Sequence, residues 1–147
     1  MKYRNHDRKL KYETVKMAKQ KDIEIKLDDL KADTLSKYLP LKISKWVLEN
    51  IKFEYQNGAC AIAYHKMQFV KKEPFRQKPI KGIVLLCDNL LKESPERQRF
   101  IILHEIAHFR LKHHGMIGKT LSEEDNEADE LAKEWLERGN KQSNKSS

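Results

Sequence analysis

The sequence contains few cysteines, glycines and prolines and no long apolar run. Among its 147 residues are two Cys, five Gly and four Pro. Cys60 and Cys87 lack metal-site spacing, so we expect buried thiols rather than a disulfide or a zinc knuckle. No segment approaches the length of a membrane span, and the first residues lack the apolar core of a signal peptide. We therefore expect a cytoplasmic protein that does not bind membranes.

Acidic residues are scarce in the first half of the chain. Residues 1–81 carry 20 Lys and Arg against 10 Asp and Glu, whereas residues 82–147 carry 10 against 12. A basic half could meet nucleic acid or an acidic partner. However, its lysines are mixed with acids, and neither an aromatic-interleaved basic stripe nor a helix-turn-helix segment is evident. We therefore favour a solvated basic surface over direct binding of nucleic acid.

The length predicts a single domain, which we place at residues 1–140. Residues 1–36 form a charge-rich N-terminal segment in which Ile23–Leu27 alternates like a short strand. Residues 141–147 are polar, and we expect a disordered tail there.

Three strands are predicted in the middle of the chain. Ile51–Tyr55 alternates apolar and polar residues, and a turn follows at Gln56–Gly58. Ala59–Tyr64 is the predicted hairpin partner of the first strand. Ile80–Cys87 is more apolar and predicts a third, better buried strand. Because no long helical crossover separates these segments, we expect a mainly antiparallel sheet of three or slightly more strands. The predicted class is α+β, with helices on one side of the sheet.

Two helices are predicted after the strands. Ser94 and Pro95 are typical of a helix start, and the apolar residues that follow cover nearly every face, which predicts a buried helix ending at Gly115. The last helix is predicted from Ser122 to Gly139.

The first of these helices carries the motif His104-Glu105-Ile106-Ala107-His108. Histidines four residues apart lie on one helical face, so both imidazoles can bind one metal ion. Glu105 projects beside them, where it can act as general base toward water on zinc. The alternative is a core helix with two hydrogen-bonded histidines. Burying these polar groups is costly without a partner, so we favour a Zn²⁺ site.

The third protein ligand has several candidates. His114 follows His104 by ten residues, but Leu111 is a good helix former, and a continuous helix would carry His114 about 15 Å along the axis. The acidic start of the last helix is the better source. Asp125 lies on its apolar face, Glu124 lies near that face, and Glu127 lies at its margin. We predict Asp125, with Glu124 and Glu127 as alternatives.

These segments resemble the small zinc peptidases of the ImmA/IrrE type and, more loosely, the wider gluzincins. The resemblance rests on Ser94–Arg97, His104–His108 and Glu127–Ala132. It implies a zincin-like domain in which the strand before the active-site helix, here Ile80–Cys87, is an edge that holds an extended peptide. It also implies a downstream helix with a ligand acid and a supporting acid, which correspond here to Asp125 and Asp129. The family has Glu where this chain has Asp125.

Motif and resemblance together predict a zinc-dependent metalloendopeptidase. Tyr55, Tyr64 and His65 are candidate donors to the oxyanion. The resemblance implies a protein substrate such as a DNA-binding repressor supplied in trans. Two other functions stay open: a regulatory protein that binds with little turnover, and a DNA-associated protease of the SprT type.

Overall fold

The computed structural model describes residues 2–57, 61–65, 81–111 and 121–145. In these ranges the chain is mostly helical. The elements, in order, are α1 (Lys2–Tyr38), α2 (Leu41–Asn50), β1 (Ile51–Gln56), β2 (Ala61–His65), β3 (Gly82–Cys87), a 3₁₀ helix (Asp88–Lys92), α3 (Pro95–Arg110) and α4 (Leu121–Lys145). None of the helices in the described ranges has the length and apolar character that crossing a bilayer requires.

The sheet corrects the predicted topology. The strand order is β1-β3-β2, with β1 parallel to β3 over six residue pairs and β2 antiparallel to β3 over five. The prediction of a mainly antiparallel sheet is therefore wrong, and the fold is a small, mostly helical α+β domain that contains a parallel strand pair. β1 and β2 do not form the predicted hairpin, because β3 lies between them. β1 and β3 are separated by 25 residues, more than the dozen that a connection between parallel strands requires.

β3 is the central strand, not the edge that the sequence suggested. Its residues Gly82, Ile83, Val84, Leu86 and Cys87 are buried, as expected for a strand covered on both faces. Since β1 and β2 occupy its two sides, the prediction that Ile80–Cys87 offers a free edge is wrong. Ile80 itself lies outside the described residues.

The charge-rich N-terminal segment is helical. The strand predicted at Ile23–Leu27 is wrong, because these residues lie inside α1. Leu27, Thr34 and Tyr38 are buried at helical spacing. Ile25 is 53% exposed, although a strand would place it on the same face as Leu27. Tertiary contacts of the second half of α1 with α2, α3 and α4 therefore decide its conformation.

The start of α3 is confirmed. The Ser94 hydroxyl accepts a hydrogen bond from the backbone N–H of Arg97 at 3.3 Å, and Pro95 occupies the first helical position. Ile102, Leu103 and Ile106 are fully buried on the core side. α3 packs against α4 and β2. Its polar face, which carries His104 and His108, lies along α4.

The glycine at which the last helix was predicted to end has a packing role. α4 continues through Gly139 to Lys145, and Gly139 is buried where the Tyr38 ring of α1 lies against its Cα. Any Cβ at this position would overlap that ring. The Tyr38 hydroxyl also donates to Asn140 Oδ1 at 3.4 Å. The glycine therefore permits close contact of two helices instead of terminating one.

Gly139→Ala is expected to destabilise the protein, although alanine favours an isolated helix by about 1 kcal/mol. Forcing a methyl group against a buried ring costs about 1–3 kcal/mol, so the free energy of unfolding in urea should fall. In a Tyr38→Leu background, where the ring is absent, the same change should be neutral or stabilising. A loss of equal size in both backgrounds would contradict this explanation.

Candidate metal centre

The polar face of α3 meets the first turns of α4 in one place. His104 and His108 lie one helical turn apart on α3, and the side chains opposite them on α4 are Asp125 and Asp129. Asp125 contacts both His104 and His108, whereas Asp129 contacts His104. This order shows that the two helices run in opposite directions along their contact.

Three potential ligand atoms converge at this contact. His104 Nε2 lies 3.1 Å from His108 Nε2, His108 Nε2 lies 3.1 Å from Asp125 Oδ1, and His104 Nε2 lies 3.6 Å from Asp125 Oδ1. In a tetrahedral zinc site with bonds of about 2.0–2.1 Å, ligand atoms lie about 3.3–3.4 Å apart. The three separations bracket that value, so two imidazoles and a carboxylate fit one zinc ion.

The contact between His104 and Asp129 supports this fit. His104 Nδ1 is buried and lies 2.7 Å from Asp129 Oδ1, although the contact is not aligned as a good hydrogen bond. A carboxylate at this nitrogen favours a proton on Nδ1, which leaves the Nε2 lone pair directed at the cluster. His104 Nε2 and Asp125 Oδ1 are then both acceptors, and the single N–H of a neutral His108 cannot satisfy both. A cation would satisfy all three atoms.

Asp129→Ala is expected to weaken zinc binding about 10–100-fold, the usual cost of removing a carboxylate that orients a metal-bound histidine. Competition with a chromogenic zinc chelator measures the affinity. Asp29→Ala, an exposed aspartate on α1, is the matched control and should bind zinc like the wild type. Equal affinity in all three proteins would exclude an orienting role for Asp129.

Water and substrate can reach the cluster. The side chains of His104 and His108 are 18% and 16% exposed, and that of Asp125 is 61% exposed. Glu105 lies between the two histidines in the α3 sequence and is half-buried. A solvent-accessible position held by three protein ligands suits hydrolysis better than a closed structural site.

The other candidate ligands have different positions. Glu124 is 5% exposed and Glu127 is half-buried. In the described part of the chain, the cluster within 4.8 Å contains His104, His108 and Asp125 but neither of these glutamates. α3 ends at Arg110 instead of continuing through Leu111, so the helical argument against His114 is not supported. His114 itself lies outside the described residues.

Of the three candidate oxyanion donors, Tyr55 is the one whose side chain is described, and it has a structural contact. Tyr55 lies on β1, where its hydroxyl donates to Asp28 on α1 at 2.6 Å. Burial and this hydrogen bond raise the pKa of Tyr55, while Lys31 and the Tyr55 hydroxyl lower the pKa of Asp28. The Tyr55 hydroxyl therefore links the sheet to α1. The side chains of Tyr64 and His65 lie outside the described set.

Comparison with protein families gives one match. Residues 63–141, more than half of the chain, match the Peptidase_M78 model, described as the IrrE N-terminal-like domain. The match covers the last three residues of β2, all of β3 and α3, and most of α4, so it includes every residue of the cluster. Neither the curated proteins nor the solved structures give a match. The resemblance carried by the motif and the last helix is thus confirmed, and the chain belongs to the IrrE N-terminal-like peptidase family.

Proposed function

We propose that the protein is a zinc-dependent endopeptidase whose metal is held by His104, His108 and Asp125. The observation that carries the proposal is the convergence of their three ligand atoms at zinc-compatible distances. Membership of a peptidase family supports the reaction class. The first support is the geometry of the cluster, and the second is the sequence match over the same residues.

Glu105 is the proposed general base. When bound, zinc supplies Lewis acidity that makes water a usable nucleophile near neutral pH. Glu105 accepts a proton as the water oxygen bonds to the peptide carbonyl carbon. It then gives that proton to the leaving nitrogen when the C–N bond breaks. Asp129 holds the His104 ring so that Nε2 stays directed at the metal position.

The substrate is proposed to bind along β2. Among the described residues, β2 pairs only with β3, and it packs against α3. Its other side therefore offers backbone N–H and C=O groups to an extended peptide near the active-site helix. This proposal replaces the predicted edge at Ile80–Cys87, since both sides of β3 are paired.

A DNA-binding repressor is proposed as the protein substrate. The proposal rests on the family resemblance alone.

The test is cleavage of a mixed peptide substrate by the zinc-loaded protein. We expect new termini inside the peptides, loss of cleavage with 1,10-phenanthroline, and recovery when zinc is added back. Cleavage that is unchanged by the chelator would exclude the zinc mechanism, and trimming from peptide ends alone would exclude endopeptidase action.

A further inference from the structure

A surface cavity lies along the contact between α3 and α4, on one side of the ligand cluster. It is a groove of about 400 Å³ lined by Ser94, Glu96, Arg97, Phe100, Lys133 and Leu136. All six residues lie on α3, its N-cap or α4, the two helices that supply the cluster. The proposed function assigns no role to this groove.

The groove and the cluster share one face of each helix. On α3, Phe100 precedes His104 by one turn, and their ring centroids lie 6.3 Å apart. On α4, Lys133 follows Asp129 by one turn, which places it on the same side. Because the helices are antiparallel, the step from His104 back to Phe100 and the step from Asp129 on to Lys133 lead in the same direction. A peptide at the metal would therefore reach the groove without changing face.

The lining of the groove contains an apolar floor and two cationic side chains. Leu136 is 8% exposed, and the half-buried Phe100 packs against the core. The Arg97 guanidinium lies over the Phe100 ring at 5.4 Å from its centroid, a contact that orients a cation at the wall. Lys133, which is exposed, also lines the groove. In the described chain neither cation forms an ion pair, and Glu96 is the only acidic residue in the lining.

We propose that this groove is a specificity site that binds a carboxylate of the peptide substrate. The inference rests on the proposed peptidase function and adds the substrate chemistry. Arg97 and Lys133 supply the charge, while Phe100 and Leu136 accept the methylene groups of an acidic side chain. The carboxylate belongs either to an Asp or Glu side chain or to the peptide C-terminus.

The helix geometry limits how far this carboxylate lies from the cleaved bond. Arg97 precedes His104 by seven residues, or about 10 Å along the helix axis. An extended peptide advances about 3.3 Å per residue. The recognised carboxylate should therefore belong to a residue within about three positions of the bond that is cut.

The test uses one synthetic peptide library made in two forms, with free C-termini and with C-terminal amides, and with free Asp and Glu side chains in both. Zinc-loaded protein digests each, and mass spectrometry identifies every cut bond. Lys133→Glu and Arg97→Glu reverse the groove charges. Lys141→Glu makes the same change on an exposed part of α4 outside the groove and is the matched control. Thermal denaturation establishes that all variants are folded.

We expect a carboxylate within three positions of the cut, either an Asp or Glu side chain or the free C-terminus, to be enriched about two- to fivefold, the range an exposed ion pair provides. The groove variants should lose this enrichment or favour Lys and Arg, whereas Lys141→Glu should retain it. Enrichment of Asp and Glu in both forms of the library identifies a side-chain carboxylate. Enrichment of cuts near the free C-terminus, lost in the amidated form, identifies the C-terminus. No enrichment, or the same enrichment in Lys133→Glu, would overturn the proposal.

A binding measurement separates this proposal from the peptidase function. Immobilised Glu105→Gln protein with zinc is incubated with the same mixtures, and the retained peptides are sequenced. Acidic enrichment among retained peptides, together with no cleavage by the wild type, would reject the peptidase and keep the groove. Retention of no peptides, or retention without acidic enrichment, would reject the groove.

Discussion

Replacing Glu105 with glutamine is expected to slow peptide cleavage about 10²–10⁴-fold, the usual contribution of a general acid–base group. Glutamine keeps nearly the same shape, but it cannot accept the proton of the attacking water. The histidines and Asp125 are unchanged, so the variant should still bind one zinc per chain. The experiment is a kcat measurement on one fluorogenic peptide selected from the digested mixture, with zinc content measured on the same samples.

Glu134→Gln is the matched control for this variant. Glu134 is exposed on α4, half a helical turn away from the face of Asp125, and the same loss of charge there should leave kcat unchanged. Wild-type cleavage by Glu105→Gln would remove the general-base mechanism. A wild-type protein that binds peptides yet never cuts them would instead favour the regulatory binding function.

Replacing Asp125 with alanine is expected to weaken zinc binding by about 100-fold or more, since losing a ligand should cost at least as much as losing an orienting carboxylate. Zinc stabilises only the folded state, by about 2.7 kcal/mol at 100 times Kd. Added zinc should therefore raise the Tm of the wild type by several degrees and that of Asp125→Ala much less. Chelator competition supplies the affinities.

Three further alanine variants decide between Asp125 and its competitors. Glu124 and Glu127 are the alternatives on α4, and His114 is the alternative beyond α3. Each of these variants should keep zinc affinity within a few-fold of the wild type. Loss of zinc in one of them, with normal binding by Asp125→Ala, would reassign the third ligand.

Local features of α3 could be predicted from the sequence. The Ser94 cap and Pro95 act within one turn, and the spacing of His104 and His108 follows from helical periodicity alone. The helical wheel of α4 also placed Asp125 toward the domain, where the structure brings its carboxylate to the histidines. These features depend on few distant contacts, which explains why sequence patterns were sufficient.

Features that depend on distant partners could not be predicted. The strand order β1-β3-β2 is decided by where β3 inserts, and no local pattern in Ile51–Tyr55 encodes its neighbour. Gly139 has the chemistry of a helix end, yet it lies against Tyr38 from the other end of the chain. The lining of the groove was also missed. Extending the His104 face back to Phe100 and Arg97 would have pointed to it.

The most direct test of the metal centre is an anomalous-difference map at the zinc edge from crystals of the zinc-loaded protein. We expect one peak about 2.0–2.2 Å from His104 Nε2, His108 Nε2 and an Asp125 carboxylate oxygen. A peak that contacts both histidines but takes its third ligand from Glu124, Glu127 or His114 would contradict the assignment of Asp125. A peak away from the two histidines would contradict the metal centre altogether.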